Sequence, residues 1–402
     1  MKILFVVPYV PNLIRVRPYN FIRSLSKRGH QVTVLAVCTN ARETQDAQWL
    51  TQYCPQVFTT RIPRWRSWWN CLWALASSKP LQTVYSWQRN LLTWVSVGNF
   101  DVIHVEHLRG SQYGLELKRQ LAKLEKPPPL VWDSVDCISL LFRQAVARSH
   151  SRMGRLAAQF ELRRTERYEG WLLEQFDRIL VTTKFDRDTL LALLPAGKTA
   201  PITVVPNGVD LHHFRMLDEV VREPATIVIS GKMSYHANVT MVLHFVKDIM
   251  PYVWAKRPDT KLQIVGKDPT RNIRQLAENP LIVVTGAVRD VRPYLQKATL
   301  AVAPIVYGAG MQNKVLEALA CATPTICTPQ AISALNVIPG RDVIVGHEPK
   351  DFAEGVVKLL NDGEQQREIG QAGRRYVEEH HNWDNVAAHL ESIYNEFVSA
   401  TH

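Results

Sequence analysis

A lysine and a glutamate one helical turn apart, Lys314 and Glu317, follow a glycine-bearing loop in the second half of the chain. The surrounding sequence reads as a buried strand, the loop and the start of a helix. A positive charge at a helix N-terminus opposes the helix dipole, which costs about a few tenths of a kcal/mol. A bound anion would remove that cost, because free backbone N–H groups and the lysine would both face it. We therefore predict a phosphate site here, the alternative being that Lys314 is simply solvated.

Two sets of short β-branched runs, each alternating with helical patterns, must position this loop. Continuous apolar strands separated by helices are typical of parallel sheets covered on both faces. The runs lie at 3–7, 32–37, 102–105, 130–132, 179–182 and 203–205, then at 226–229, 262–265, 282–285, 300–303, 325–327 and 343–345. Two such sets predict an α/β fold with two doubly wound Rossmann-like domains that face each other across a cleft.

A turn signal, from Pro206 to Leu211, separates the two sets of strands. We predict an N-terminal domain over residues 1–205, a C-terminal domain over 206–380 and a final helix over 381–402 that crosses back to the first domain. Ligands of open parallel sheets bind beyond the carboxyl ends of the strands. The loops expected to line the site are those after Val7, Val105, Ile229, Thr285 and Ala303.

Composition narrows the class of protein. No run of about 18 apolar residues is present, so we expect no helix that spans a membrane. The start of the chain reads as a strand rather than a signal peptide, because Pro8 and Pro11 interrupt its apolar run. The six cysteines show neither paired nor metal-ligand spacing, which fits reduced thiols in the cytosol.

Positive charge is concentrated in the first half. Residues 1–205 carry 28 Lys and Arg against 15 Asp and Glu, whereas the remainder carries 20 against 22. This imbalance predicts an anionic partner for the first half only. Anionic lipid, lipid-linked phosphate and nucleic acid all fit that description.

The second half resembles the retaining GT-B glycosyltransferases of the large family four. The matching elements are Pro206-Asn-Gly-Val-Asp210, Ile264-Val-Gly266, Val284-Thr-Gly286 with Asp290, and Lys314-Val-Leu-Glu-Ala-Leu-Ala320 with Pro324. The element Gly231-Lys-Met-Ser-Tyr-His-Ala-Asn238 is similar to one in a bacterial subgroup associated with exopolysaccharide clusters. The resemblance is strong over about residues 200–380 and weak over the first half.

The resemblance implies a metal-independent, retaining hexosyltransferase without a cofactor, which uses a nucleoside-diphosphate sugar, with UDP or GDP as nucleotide. Lys232 and Lys314 would neutralise the diphosphate, and Glu317 would accept hydrogen bonds from the ribose hydroxyls. The backbone from Gly286 to Val288 would border the nucleobase. The remaining donor-binding residues would be Gly231, Gly310, Met311, Gln312 and Asn313.

One position departs from the family pattern. The family usually has a second glutamate eight positions before Glu317, where this chain has Ala309. That carboxylate commonly contacts the donor sugar, so the identity of the sugar stays open. The resemblance then implies that backbone N–H groups from Gly310 to Gln312 take over the contact. The family's lysine in the first loop of this domain is not clearly present, and His236 and Asn238 occupy that region.

Polar residues follow one predicted strand of the first half. By the resemblance, Glu106 or His107 would contact the donor sugar or the acceptor. His104 lies within the apolar run and is expected to pack as a strand residue.

Other candidates for acceptor binding come from two neighbouring loops. Asp133 and Asp136 follow the next strand and are expected to bind acceptor hydroxyls. Two carboxylates so close can hold a metal, but the family works without one, and we predict none. Arg15 and Arg17 are expected in the first loop, either at a phosphate of donor or acceptor or as ordinary surface arginines.

A tryptophan-rich segment stands out in the first half. Its apolar residues follow helical spacing and form one stripe: Trp65, Trp68, Trp69, Leu72 and Trp73. Arg61, Arg64 and Arg66 flank its start. Tryptophan beside arginine suits a helix at an anionic membrane surface, and we assign Trp65 and Trp69 to the acceptor side. The alternative is a helix packed on its own domain.

We therefore predict a cytoplasmic enzyme, in peripheral contact with the inner face of the membrane, that transfers sugar to a growing cell-envelope glycan or a lipid carrier. A sugar-nucleotide epimerase of the same fold is the nearest alternative. A nucleic-acid-binding protein is disfavoured, because the sequence lacks a nucleic-acid module and its basic residues are scattered. A non-catalytic scaffold is the third alternative, suggested by Ala309.

Overall fold

The structure is a computed structural model that describes residues 1–12, 15–76, 79–148, 152–215, 221–308 and 310–400. The chain divides into two compact units. The first contains Met1–Arg143, Ala157–Asn207 and Trp383–His402, and the second contains Gln144–Leu156 and Gly208–Asn382. Each unit is built on one parallel sheet flanked by helices, which confirms the predicted α/β fold with two Rossmann-like domains.

The sheet of the first unit orders its parallel strands as β3-β2-β1-β4-β5-β6-β7. They are β1 (Lys2–Val7), β2 (Gln31–Cys38), β3 (Gln56–Arg61), β4 (Val102–Glu106), β5 (Leu130–Val135), β6 (Arg178–Val181) and β7 (Ile202–Val204). The helices in this part of the chain are α1 (Val16–Lys27), α2 (Ala41–Leu50), α3 (Arg64–Ala76), α4 (Leu81–Val84), α5 (His107–Leu121), α6 (Ile138–Arg148), α7 (Arg152–Leu172) and α8 (Lys184–Leu191). Two 3₁₀ turns cover Arg89–Trp94 and Val97–Asn99.

The sheet of the second unit is ordered β10-β9-β8-β11-β12-β13. Its strands are β8 (Glu223–Ser230), β9 (Lys261–Val265), β10 (Ile282–Gly286), β11 (Ala298–Ala303), β12 (Thr325–Cys327) and β13 (Ile344–Val345). The helices are α9 (His236–His244), α10 (Met250–Lys256), α11 (Arg271–Gln275), α12 (Arg292–Lys297), α13 (Asn313–Ala320), α14 (Pro329–Ile332), α15 (Pro349–Asn361) and α16 (Gly363–His380). A π turn covers Phe245–Ile249 and a 3₁₀ turn covers Leu276–Glu278.

The central strands are buried on both faces, which explains their continuous apolar sequences. Every residue of β4 and of β11 is buried. The final helix, α17 (Trp383–Ala400), packs Trp383, Leu390 and Tyr394 into the core of the first unit. The six cysteines are free thiols.

Strand β3 was missing from the predicted strands. Its sequence, Gln-Val-Phe-Thr-Thr-Arg, is mostly polar because β3 lies at the edge of its sheet and is only partly buried. An edge strand therefore lacks the apolar run that reveals a central one. Among the described residues, no helix is long and apolar enough to cross a lipid bilayer.

Candidate active site

The strand order of the second sheet reverses between β8 and β11. Open parallel sheets bind their ligands outside the carboxyl ends of the strands at such a reversal. Strand β8 leads directly into Gly231 and Lys232, and β11 leads through a loop into α13, which carries Lys314. The fold thus brings two predicted phosphate-binding segments, distant in sequence, to one edge of one sheet.

Two glycines let the loops at this edge approach closely. Gly231 and Gly266 have φ angles of 151° and 150°. A Cβ on Gly266 would lie 1.7 Å from the carbonyl oxygen of Gly231, so only glycine fits there. A Cβ on Gly231 would lie 3.6 Å from Cε of Lys314. The side chain of Lys314 therefore passes beside the backbone of Gly231.

Helix α13 begins with an N-terminus suited to an anion. Its N-cap, Gln312, makes no side-chain capping hydrogen bond, and its first turn contains no acidic residue. Nζ of Lys314 donates to Oε1 of Gln312 at 3.1 Å. Within the described part of the chain, Lys314 forms no ion pair with a carboxylate. Positive charge and N–H groups are thus concentrated here. Glu317 lies one turn further along the helix, but no carboxylate of the described residues lies within ion-pair distance of Lys314.

Burial shifts the pKa of both charged residues of α13, Lys314 and Glu317. It lowers the pKa of Lys314 to about 8, and the charge of Glu317 opposes that shift. Burial raises the pKa of Glu317 to about 7, and the charge of Lys314 opposes it. Both residues therefore change charge near neutral pH, and a bound phosphate would favour the charged form of Lys314.

The remaining face of α13 anchors it in the core. Val315, Leu316 and Leu319 are buried. Helix α16 approaches α13 at two glycines, where a Cβ would lie 2.3 Å from the Ala322 carbonyl oxygen and 2.6 Å from a methyl carbon of Leu319. These are Gly370 and Gly373, and they let α16 support α13 from behind.

A histidine–tyrosine contact, which was not predicted from the sequence, joins the start of α9 to the loop after β11. Nδ1 of His236 and the hydroxyl of Tyr307 are 2.8 Å apart, and the two rings stack with centroids separated by 5.6 Å. Nδ2 of Asn238 donates to the carbonyl oxygen of Lys232 at 3.0 Å. Pairing of His236 with Tyr307 has no sequence signal, because the two residues are 71 positions apart.

The other predicted donor residues lie in or next to the loops at the same edge of the sheet. Gly286 ends β10 with a φ of 67°, and no atom of the described residues lies within 4 Å of the position of a Cβ there. Met311 is buried, whereas Gly310, Gln312 and Asn313 are partly exposed. Val288 packs partly against a small apolar cluster. Ala309 lies outside the described residues.

A second pair of neighbouring strands, β1 and β4, marks the reversal of order in the first sheet. The hydroxyl of Tyr9, which follows β1, donates to Oε1 of Glu106 at 2.8 Å. Oε2 of Glu106 is buried and has no hydrogen-bond partner among the residues that the structure describes. Burial and the charge of Asp133 raise the pKa of Glu106 to about 8, so it is mostly protonated at neutral pH.

His107 begins helix α5 in a left-handed conformation with a φ of 63°. Its Nδ1 accepts a hydrogen bond from the backbone N–H of Arg109 at 3.2 Å. Burial and the charge of Arg109 lower the pKa of His107 to about 3, which makes it a neutral imidazole. The roles of Glu106 and His107 toward donor or acceptor stay predictions.

Arg17 and Asp133 form a buried ion pair. Nε and Nη2 of Arg17 lie 2.7 Å and 3.1 Å from the two oxygens of Asp133. Nη1 of Arg17 donates to the carbonyl oxygen of Val205 at 3.0 Å and to Oδ1 of Asn207 at 3.0 Å. Arg17 lies in helix α1 rather than in the predicted first loop. Both side chains are committed to structural contacts, and their acceptor role stays a prediction.

The two other polar candidates of the first unit also have protein partners. Arg15 lies in the loop before α1, pairs with Glu43 at 3.1 Å and lies over the ring of Tyr9 at 4.4 Å. Asp136 accepts a hydrogen bond from the hydroxyl of Thr182 at 3.3 Å. Burial and the charge of Asp186 raise its pKa to about 7. His104 is fully buried and hydrogen-bonds to the hydroxyl of Tyr394, as a packed strand residue would.

Two protein-family models match this chain. Residues 15–213 match the family model described as Glycosyltransferase Family 4, and residues 224–362 match the one described as Glycosyl transferases group 1. Together the two matches cover most of the chain. The chain belongs to glycosyltransferase family four.

Two curated relatives illustrate the range of this family. The alpha-maltose-1-phosphate synthase of Mycolicibacterium smegmatis is 27% identical over 58% of this chain and 66% of its own length. The capsular polysaccharide biosynthesis glycosyltransferase CapM of Staphylococcus aureus is 22% identical over 56% of this chain and 60% of its own length. The matches thus span less than two thirds of the length of these relatives.

Solved structures share the two-domain GT-B fold of this family member. Sucrose-phosphate synthase from Thermosynechococcus elongatus superposes over 100% of both chains with a TM-score of 0.72 at 15% identity. Anabaena HepE in complex with UDP covers 98% of this chain and 100% of its own, with a TM-score of 0.69 at 12% identity. At these identities the likeness concerns the fold alone.

Helix α3 carries the predicted tryptophan stripe of this family-four protein. Trp65 and Trp69, assigned to acceptor binding, are 62% and 66% exposed.

Among the described residues, no group of three or more His, Cys, Asp or Glu is arranged to hold a metal ion.

Proposed function

We propose that the protein is a retaining glycosyltransferase. It would move a sugar from a nucleoside-diphosphate sugar, with UDP or GDP as nucleotide, to a glycan or lipid-linked acceptor in cell-envelope or exopolysaccharide synthesis. The observation that carries this proposal is the N-terminus of α13, where Lys314 lies beside Gly231 at the reversal of the strand order. A diphosphate would supply the missing anion.

Several residues of the second unit would hold the donor. Lys314, the N–H groups of α13 and the exposed Lys232 would neutralise the diphosphate. Glu317, one turn after Lys314 on the same helix face, would accept hydrogen bonds from the ribose hydroxyls. The open backbone at Gly286 would border the nucleobase. HepE, whose solved complexes contain UDP and UDP-glucose, shares the fold and supports this choice of donor.

Catalysis in this proposal is electrostatic. The bond between the anomeric carbon and the diphosphate oxygen breaks, and the lysines stabilise the charge that develops on the leaving group. The acceptor hydroxyl attacks the anomeric carbon from the same face, and its proton passes to the departing phosphate oxygen. The reaction thus needs neither a strong protein base nor a metal ion or cofactor.

The acceptor would be bound by the first unit, whose basic character suits a phosphate-bearing lipid carrier. Glu106 and His107, both neutral near pH 7, would act there through hydrogen bonds rather than as charges. We place the enzyme at the inner face of the cytoplasmic membrane, without a nucleic-acid partner. CapM, named for capsular polysaccharide biosynthesis, supports an envelope glycan as the product.

A nucleotide panel tests this function. Purified protein would be mixed with UDP, GDP and ADP, and with their sugar conjugates, and followed by thermal unfolding. One nucleotide should raise the Tm by mass action, equivalent to about 2.7 kcal/mol at a hundredfold excess over Kd. Its sugar conjugate should then be consumed only when an acceptor extract is present. No stabilisation by any nucleotide would contradict the proposal, and an altered sugar nucleotide released without acceptor would favour the epimerase.

A further inference from the structure

Helix α3 turns its aromatic face away from the protein. The side chains of its stripe are more than half exposed: Trp65 62%, Trp68 73%, Trp69 66%, Leu72 55% and Trp73 53%. A surface helix normally buries its apolar stripe and exposes its polar side. Large contiguous apolar patches on a protein surface usually mark a site of interaction.

The opposite, less apolar face of α3 holds the helix to the first unit. Ser67 and Ala74 are buried, at 4% and 0% exposure. Nδ2 of Asn70 donates to the carbonyl oxygen of Trp87 at 3.1 Å. Small and polar residues thus face inward, so the outward direction of the tryptophans is fixed by the packing of the helix.

The segment around α3 is positively charged and lacks acids. Residues 47–100 contain five Lys and Arg, seven of the chain's 11 tryptophans, and neither Asp nor Glu. Arg61 and Arg66 are exposed. Nε2 of Gln88 donates to the carbonyl oxygen of Arg61 at 3.4 Å, which places the neighbouring Arg89 on the same part of the surface. Arg89 lies 3.8 Å from a carboxylate oxygen of Glu116, and its side chain is still 77% exposed.

We propose that this tryptophan face, defined by Trp65, Trp68, Trp69, Leu72 and Trp73, docks on an anionic lipid bilayer. Tryptophan rings fill the boundary between headgroups and acyl chains, and arginines attract anionic headgroups. The helix lies in the plane of the membrane surface. Docking does not depend on the proposed transfer reaction, since it needs neither donor nor acceptor.

A second copy of the chain suits this surface less well. A two-fold contact brings the same patch of both copies together. It would therefore place two basic, acid-free segments side by side, and like charges at an interface oppose association. An anionic bilayer supplies the complementary charge that a second copy lacks.

Vesicle binding tests the proposal. The full chain would be sedimented with vesicles of phosphatidylglycerol and phosphatidylcholine in equal parts, and with phosphatidylcholine alone. We expect binding to the anionic vesicles that weakens as salt is raised. Trp68→Ser combined with Trp69→Ser should weaken binding at least about tenfold, which corresponds to about 1.4 kcal/mol. Trp49→Ser, at a tryptophan that is 69% exposed on α2, is the matched control and should retain binding.

A second measurement separates docking from misfolding and self-association. The double variant should unfold at the temperature of the parent, because its two side chains are exposed. Brominated lipid should quench the fluorescence of the parent more than that of the double variant. Equal loss of binding in the Trp49→Ser control would overturn the assignment to α3. A dimer in sedimentation that the double variant abolishes, without binding to either vesicle, would show that the face binds a second copy.

Discussion

The carboxyl edges of the two sheets have the same topology, but they differ in whether their charged side chains form ion pairs. In both sheets the strand order reverses in the middle, between β1 and β4 and between β8 and β11. At the first edge, Tyr9 bonds to Glu106, and Arg17 pairs with Asp133. At the second edge, Lys314 lies beside glycine backbone and forms no ion pair with a carboxylate among the described residues.

The charged residues of the first edge thus stabilise the fold, whereas the charge of the second edge is available to a ligand. A buried pair such as Arg17 and Asp133 neutralises itself, and its hydrogen bonds are already made. A lysine at a helix terminus without an acid in the first turn keeps its charge for an anion. The first edge should therefore respond to mutation mainly in stability, and the second mainly in nucleotide binding.

The largest expected effect is on stability at the first edge. Arg17→Ala leaves Asp133 buried without its partner, which should lower the free energy of unfolding by about 3–5 kcal/mol. Arg15→Ala is the matched control, because Arg15 is partly exposed and pairs with Glu43; it should cost below about 1 kcal/mol. Urea unfolding of both variants measures the difference. Equal costs would mean that the ion pair of Arg17 with Asp133 does not stabilise the fold as described.

A smaller stability effect depends on pH. The pKa of Glu106 is raised to about 8 in the folded protein. Above about pH 4.5 Glu106 ionises in the unfolded state but not in the folded state, so its contribution to the free energy of unfolding is highest at low pH and declines between about pH 4.5 and 8. Glu106→Gln removes that decline and should stabilise the protein by on the order of a few kcal/mol at about pH 8. The Tm of Glu106→Gln, plotted against pH, should give a flatter curve than the Tm of the parent. The exposed Glu125→Gln control should parallel the parent, and a parallel curve for Glu106→Gln would contradict a buried neutral acid.

At the second edge, Glu317→Gln should affect recognition of the ribose. Loss of a charged acceptor of ribose hydrogen bonds should weaken UDP binding about tenfold. The variant should also lose the parent's preference for UDP over 2′-deoxy-UDP. Calorimetry with both nucleotides measures this preference, and Glu364→Gln on the exposed side of α16 is the control. An unchanged preference would remove Glu317 from the nucleotide site.

The smallest expected effect is the pH dependence of UDP affinity. Lys314 has a pKa of about 8 in the free protein, so it loses its charge as the pH rises through that value. Glu317, with a pKa of about 7, is largely ionised by then. UDP affinity should therefore fall about fivefold between about pH 8 and 9. Lys314→Arg, which stays charged, should show a flat profile, and a fall of the same size in that variant would contradict this assignment.

The sequence revealed the central strands and the start of α13 because burial and helical spacing leave periodic patterns. The runs that predicted β1 and β11 are continuous because those strands are covered on both faces. Strand β3 was not predicted, because it is an edge strand and its sequence is mostly polar. The family resemblance supplied the roles of Lys232 and Glu317, which spacing alone does not give.

Contacts between distant residues explain what the sequence could not reveal. Arg17 and Asp133 each read as candidates for a ligand, yet they are 116 positions apart and bind each other. The contact of His236 with Tyr307 likewise depends on the order of strands in the sheet. The stripe of α3 tryptophans alone does not say whether it faces the core or the solvent, although the arginines beside it favoured the surface that the structure shows.

The central claim is that Lys314 and the N-terminus of α13 bind a diphosphate. Calorimetry of the nucleoside diphosphate that the nucleotide panel selects, taken here as UDP, and of its nucleoside, uridine, with the parent, Lys314→Ala and Lys297→Ala tests it most directly. Lys297 is exposed and precedes β11 at the opposite edge of the sheet, which makes it a matched control. We predict that Lys314→Ala loses at least about tenfold in affinity for UDP but not for uridine, while Lys297→Ala matches the parent. Equal UDP affinity in the parent and Lys314→Ala would contradict the account.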